Sequence, residues 1–214
     1  LGSVLYNYKS TREVSLNTMI EHSKSVRLGV KKSLMVVDMP HNTYRNSKEA
    51  LKNAKQIISK TKCDAVKLEG GKKIYEIIKT LVKNNIPVMG HLGLLPQSAK
   101  NFKFKGKQNY EREKILKEAK LLETAGVFSM VLECIESSLA KNITKTIKIP
   151  TIGIGASNNC DGQILVFDDV IGLNPINVRF VKKYTNIRKD ISKAVLNYAR
   201  DVRSMKFPLK KHSY

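Results

Sequence analysis

The chain has 214 residues, an ordinary apolar fraction and no tryptophan, enough for one domain with a substantial core. No apolar run approaches the roughly 20 residues that span a bilayer, which excludes a helical membrane protein. The formal charge of +21 suggests nucleic acid, yet the cations are mostly lysines scattered through nearly every segment, whereas arginine is the usual reader of phosphate and guanine. The charge is therefore read as weak nonspecific adhesion, with no specific nucleic-acid site expected.

Taken in chain order, an amphipathic pattern over 15–27 precedes a short apolar run, S-L-M-V-V-D (33–38). A helical pattern over 46–61 leads to D-A-V-K-L-E (64–69), and another over 72–84 leads to I-P-V-M-G-H (86–91). Patterns over 110–125 and 136–146 precede F-S-M-V-L-E (128–133) and I-P-T-I-G-I-G (149–155). Q-I-L-V-F-D (163–168) and a last helix near 188–204 complete the series. Apolar strands alternating with helices imply βαβ units and a parallel sheet covered on both faces. One domain over 1–214 accounts for this rhythm.

Cys63, Cys134 and Cys160 are widely spaced, and none belongs to a C-x-x-C pair. They point to buried thiols in a reducing, cytoplasmic setting rather than to disulfides or a zinc site. No signal segment is read at the start. The first residue is Leu1 rather than methionine, which leaves an upstream targeting segment open.

The strand ends carry the chemistry. Asp38, Glu69, His91 and Glu133 close four successive strands, and Lys67 shares a face with Glu69 because residues i and i+2 of a strand point the same way. Singly, each has a plain structural explanation: a turn cap for Asp38, a solvated Lys67–Glu69 pair, a core histidine at His91, a rim carboxylate at Glu133 with Cys134 packing outward. At equivalent positions of consecutive strands they are hard to explain as independent accidents. The C-terminal strand ends of a parallel barrel form one rim where such enzymes place their residues, and an open doubly wound sheet gathers them along one edge. No G-x-G-x-x-G loop follows the early strands. Carboxylates of this kind suit a hard cation such as Mg2+, and a 2-oxo acid chelates one through its carboxylate and keto oxygens, acidifying the neighbouring carbon. A lysine there can neutralise the substrate, and a further carboxylate can remove the proton.

Several blocks together resemble the ketopantoate hydroxymethyltransferase family: D-M-P (38–40), V-K-L-E-G-G (66–71), G-H-L-G-L-L-P-Q-S (90–98), V-L-E-C (131–134), I-G-I-G-A (152–156) and D-G-Q-I-L-V (161–166). V-S-L-N-T-M-I-E-H (14–22) and the ending F-P-L-K-K-H-S-Y (207–214) agree as well. The resemblance implies a Mg2+-dependent (β/α)8 TIM barrel that forms homo-oligomers; the composition adds no membrane and no specific nucleic acid as expected partners. It implies transfer of a hydroxymethyl group from 5,10-methylenetetrahydrofolate to 3-methyl-2-oxobutanoate, through a metal-bound enolate, giving 2-dehydropantoate for pantothenate synthesis. Asp38 and Glu69 would hold the metal, Lys67 with Asp38 the oxo acid, Glu133 would accept the proton and His91 would support it.

The family's G-D-S-L-G motif would end at Leu1-Gly2, placing its aspartate, its serine and the first two barrel strands before this chain. An N-terminally truncated record of a complete enzyme is expected, against a shortened inactive descendant. Leu95, His41 and Ser157 replace a usual threonine, phenylalanine and glycine, and the segment 98–109 is shorter and more basic than the family's. Two other readings stand: a Mg2+-dependent lyase or mutase of the phosphoenolpyruvate mutase type, and a basic nucleic-acid-associated protein without catalysis.

Overall fold

A computed structural model describes residues 1–99 and 103–214, so Lys100–Phe102, inside the basic segment 98–109, lie outside the described residues. The chain divides into two compact units, Leu1–Ile164 and Leu165–Tyr214.

In the first unit each helix has an identifiable start and a buried stripe. Ser15 caps α2 (Leu16–Gly29) by accepting from Thr18 N, which follows the short α1 (Gly2–Leu5). Asn46 caps α3 (Ser47–Thr61) through Glu49 N, and Lys62 closes it in the left-handed region. Ala50, Ala54, Ile57 and Thr61 are the buried residues of α3, the spacing of one face of a 3.6-residue helix. A 3-10 turn, Lys72–Ile74, leads into α4 (Tyr75–Lys83), whose Ile77, Ile78 and Leu81 are buried. The stripe of α5 (Asn109–Ala125) is Ile115, Ala119, Leu122 and Ala125. In α6 (Ser137–Thr146) it is Leu139, Ala140 and Ile143.

The strands these helices cover are β1 (Val36–Asp38), β2 (Ala65–Lys67), β3 (Val88–Gly93), β4 (Ser129–Glu133), β5 (Thr151–Ile154) and β6 (Gly162–Gln163). They form one sheet in the order β1-β2-β3-β4-β5-β6, and every pair is parallel. A doubly wound sheet reverses its strand order at a switch point; this one does not. Helices α2 to α6 contact one another in the same sequence, so the sheet curls as a half-barrel. The side chains of Val37, Val66, Leu68, Val88, Met130 and Leu132 join the helical stripes in one apolar cluster, where each large side chain contributes about 1.5–3 kcal/mol. Leu68 is buried in that cluster, and Lys67 and Glu69 flank it on the opposite face.

Every strand but β3 is shorter than the sequence suggests: β2 ends at Lys67, so Glu69 lies just beyond it, while β3 runs to Gly93, so His91 sits within it rather than closing it. Ser33–Met35 stay off the ladder because the Asp64 carboxylate takes the Met35 amide hydrogen at 2.8 Å, upstream of the first paired residue. At the other end the sheet pairing stops at Gln163. Phe167–Val170 turn instead into a short helix, α7, with Asp168 and Asp169 in its first turn, where acidic side chains favour the helix dipole.

The second unit holds α7 and α8 (Ile187–Arg203), the latter capped by Asn186 accepting from Lys189 N. Within it the Tyr198 and Phe207 rings meet edge to face at 5.5 Å. Among the described residues no helix is long and apolar enough to cross a membrane.

Gly93 ends β3 opposite Glu133 with φ +101, and a Cβ there would collide with the Glu133 carbonyl oxygen and the Ile135 side chain. Gly93→Ala should destabilise the fold by about 2–5 kcal/mol, from backbone strain and overpacking together. Urea denaturation reads this, and a loss near zero would mean that the β3 end relaxes freely.

Candidate active site

Parallel pairing brings the ionisable strand ends to one rim. Asp38 stands level with Lys67, Met89 is level with Lys67, and Glu133 is level with Gly93. His91 lies between these last two levels on β3, and Gly70 N donates to its carbonyl at 3.2 Å. All five residues expected from the sequence are brought together.

Lys67 Nζ lies 2.6 Å from Asp38 Oδ1. That oxygen is buried, and the ammonium compensates its charge at close range although the hydrogen-bond alignment is poor. The same Nζ is 3.3 Å from His91 Nδ1. An ammonium can only donate, which assigns Nδ1 as the acceptor and the proton of the neutral ring to Nε2. His91 Nε2 faces Glu133 Oε2 at 3.3 Å, again poorly aligned, and Nδ1 is 3.9 Å from Glu69 Oε1. Lys67 thus pairs across strands with Asp38, and the Lys67–Glu69 surface pair considered above is not what forms.

Burial governs the protonation of this group. It lifts the Glu133 carboxyl to about 7, helped by Asp38 and opposed by Lys67. It lifts Glu69 to about 7 as well, against the Gln97 N–H and Lys67. Burial and the Lys67 charge push His91 down to about 3, which keeps the ring neutral. Burial also works against the Lys67 ammonium, but the charge and close contact of Asp38, with Glu69 and Glu133 behind it, outweigh that loss and raise its pKa. Cys134, next to Glu133, is buried, and desolvation with the Glu133 charge pushes its thiol up to about 11. It packs rather than reacts.

Two participants went unassigned in the sequence. Gln97, 8% exposed, donates its backbone N–H to Glu69 Oε2 at 3.0 Å. Tyr44 Oη donates to Gln97 Oε1 at 3.0 Å and lies 3.4 Å from the Glu69 carbonyl; burial and the Glu69 charge raise its pKa. Gln97 sits in the quoted H-L-G-L-L-P-Q block, but Tyr44 had no signal in its surroundings.

The donor set fits a hard cation of the Mg2+ type, which takes one or two carboxylates and keeps several waters. Asp38 offers a carboxylate whose side chain is 43% exposed, and Glu69 adds a second carboxylate at the same rim. Among the described residues no three His, Cys, Asp or Glu side chains converge as a complete metal cage. Of the described residues, Asp38 and Glu69 are the two placed to serve as ligands, alongside water or substrate oxygens.

With Glu69 and Glu133 raised from 4.5 to about 7, the folded chain holds protons that the unfolded chain releases between those values. Stability is then fully present below about pH 4.5 and falls as pH rises through about 7. Each group contributes on the order of 1–3 kcal/mol to that fall. Denaturant titrations in chelator should show the decline, with a shallower one in Glu133→Gln. A flat profile would mean that these carboxyls are not desolvated.

Residues 1–210 match the family model described as ketopantoate hydroxymethyltransferase. The chain is 74% identical over 214 residues to the 3-methyl-2-oxobutanoate hydroxymethyltransferase of Pelagibacter ubique strain HTCC1062, covering 100% of this chain and 83% of that protein. It is 48% identical over 219 residues to the protein of that name from Rhizobium etli, covering 100% and 80%. Among solved structures it is similar to 2,3-dimethylmalate lyase, a PEP mutase/isocitrate lyase superfamily member, with TM-score 0.54 and 12% identity over 71% of this chain and 55% of that one. A putative lyase/mutase from Burkholderia cenocepacia J2315 gives TM-score 0.53 and 11% identity over 89% and 69%. At such identities the likeness shows the α/β fold alone.

Proposed function

Because the chain belongs to the ketopantoate hydroxymethyltransferase family, we propose that it transfers a hydroxymethyl group from 5,10-methylenetetrahydrofolate to 3-methyl-2-oxobutanoate at the Asp38–Glu133 rim. With one water consumed, the products are 2-dehydropantoate and tetrahydrofolate, a step of pantothenate synthesis. The observation that carries this reading is the buried Glu133 carboxyl, raised to about 7 and separated from the Lys67 ammonium by a neutral histidine. A base poised near the working pH and a fixed cation are what carbon-acid chemistry on an oxo acid requires.

In this reading Lys67 binds the carboxylate of the oxo acid and steadies negative charge as it develops on the keto oxygen. Glu133 takes the proton from C3, and the electron pair released forms the C–C bond to the one-carbon unit. Both folate C–N bonds to that carbon break, water supplies the hydroxyl oxygen, and the remaining protons end on the two nitrogens of the departing tetrahydrofolate. Neutral His91, with Nε2 3.3 Å from Glu133 Oε2, stands beside that carboxyl and adds no charge that would hold it ionised too firmly. Asp38 and Glu69 would hold a Mg2+, which when bound would polarise the keto oxygen as a Lewis acid. The six strands belong, in this proposal, to one (β/α)8 barrel domain in a cytoplasmic homo-oligomer. The lyase or mutase alternative has only distant structural likeness in its favour, whereas the named relatives at 74% and 48% identity favour transfer.

The test is exchange of the C3 proton of 3-methyl-2-oxobutanoate with deuterated solvent in the presence of Mg2+, without folate. The rate should rise with pH through about 7 as Glu133 ionises. Glu133→Gln should lower it by about 10²–10⁴-fold, and a variant exchanging at the wild-type rate would remove Glu133 from its role. Lys67→Ala should weaken oxo-acid binding by roughly 10–100-fold, the range for losing a charge-assisted contact. Calorimetry of that variant showing unchanged affinity would place the substrate elsewhere.

A further inference from the structure

Gln97 has four hydrogen-bonding groups, and all four are engaged. Its side-chain Nε2 donates to the carbonyl of Met39, the residue directly after Asp38, at 3.0 Å. Its Oε1 accepts from Tyr44 Oη at 3.0 Å. The backbone N–H donates to Glu69 Oε2 at 3.0 Å, and the backbone carbonyl accepts from Arg12 Nε at 2.8 Å. The Met39 carbonyl can only accept, so the orientation of the amide is fixed by its partners. Met39 itself is fully buried. One residue of the loop after β3 therefore holds the backbone beside Asp38 on β1 and the carboxylate of Glu69 beyond β2.

We propose that Gln97 is a positioning residue that sets the spacing of the Asp38 and Glu69 carboxylates for a divalent cation, with Tyr44 holding its amide. This rests on the reading of the rim given above. Glu69 and the segment after Asp38 come from different loops. Gln97 joins them with its side-chain amide on Met39 and its backbone N–H on the Glu69 carboxylate, and Tyr44 reinforces the tie with its hydroxyl near the Glu69 carbonyl. Without the amide, the Gln97 N–H would still reach Glu69 Oε2, but from a loop no longer tied to Met39. Partners of this kind behind metal ligands characteristically change affinity by 10–100-fold when removed.

The measurement is Mn2+ binding without substrate, followed by the electron paramagnetic resonance of free Mn2+, an ion suited to carboxylate and water ligands. Gln97→Met keeps the length of the side chain and deletes both amide bonds. It should weaken Mn2+ by about 10-fold with a melting temperature near wild type. Tyr44→Phe should weaken it by a few-fold, and the double variant should lose no more than Gln97→Met alone, since the two act through one contact. Wild-type affinity in folded Gln97→Met overturns the proposal. If that variant does not fold, wild-type affinity in Tyr44→Phe overturns it instead. Asp38→Asn is the control for the underlying site: if it binds Mn2+ as tightly as wild type, or if wild type binds none, the rim reading fails first and Gln97 with it.

Discussion

A lysine ammonium held 2.6 Å from a carboxylate in a partly dry rim sets the terms for every group around it. Burial alone would neutralise Lys67, Glu69 and Glu133 by moving each pKa toward the uncharged form. The ammonium survives because Asp38 and the two glutamates favour it, and its charge in turn keeps both glutamates from rising further. The same charge, added to desolvation, denies His91 a proton. Net charge within the rim is thus shared rather than assigned, and a proton arriving at Glu133 meets an environment already near balance.

The fold delivers this balance through register. Parallel pairing places Asp38 beside Lys67 and Gly93 beside Glu133, so charges separated by long stretches of sequence meet with no loop needing to carry them. Rigid strand ends hold such groups more closely than loops do. The loops contribute the remaining precision. Gln97 and Tyr44 tie the exits of β1, β2 and β3 together, and the absence of a side chain at Gly93 lets β3 close against the Glu133 backbone.

Much of this was legible in the sequence for a simple reason: the i, i+2 alternation of a strand exposes its two faces to separate inspection. Val66 and Leu68 read as core while Lys67 and Glu69 read as rim, and the structure keeps that division. The helices were legible because stripes such as Ala50, Ala54 and Ile57 repeat at helical spacing. Strand boundaries were not, since they depend on competition for backbone groups. The Asp64 side chain claims the Met35 amide, and no local pattern announces that. The Tyr44–Gln97 contact spans residues 53 apart in sequence, beyond any periodic signal. Nor could strand alternation say which carboxylate Lys67 would face: it offered Glu69, two residues away, as the plain ion pair, Asp38 came beside Lys67 only through the family resemblance, and cross-strand pairing chose Asp38.

The rim also shows where local consistency is given up. Core positions throughout the first unit obey pattern and packing together, yet here two carboxyls, a lysine and a histidine are drawn from water, and two polar atoms, Asp38 Oδ1 and His91 Nε2, lack aligned partners. Burying such groups costs stability unless they are paired, and sequences that specify a fold break these rules chiefly at functional sites. The two orphaned atoms face the two tasks the proposal assigns to the rim. Asp38 Oδ1 belongs to a carboxylate that the proposal gives to a cation, and His91 Nε2 lies 3.3 Å from the carboxyl that would move the proton. A rim selected only for stability would have matched these atoms with donors and acceptors of its own. A ligand that gives either atom a better-aligned partner recovers part of that cost.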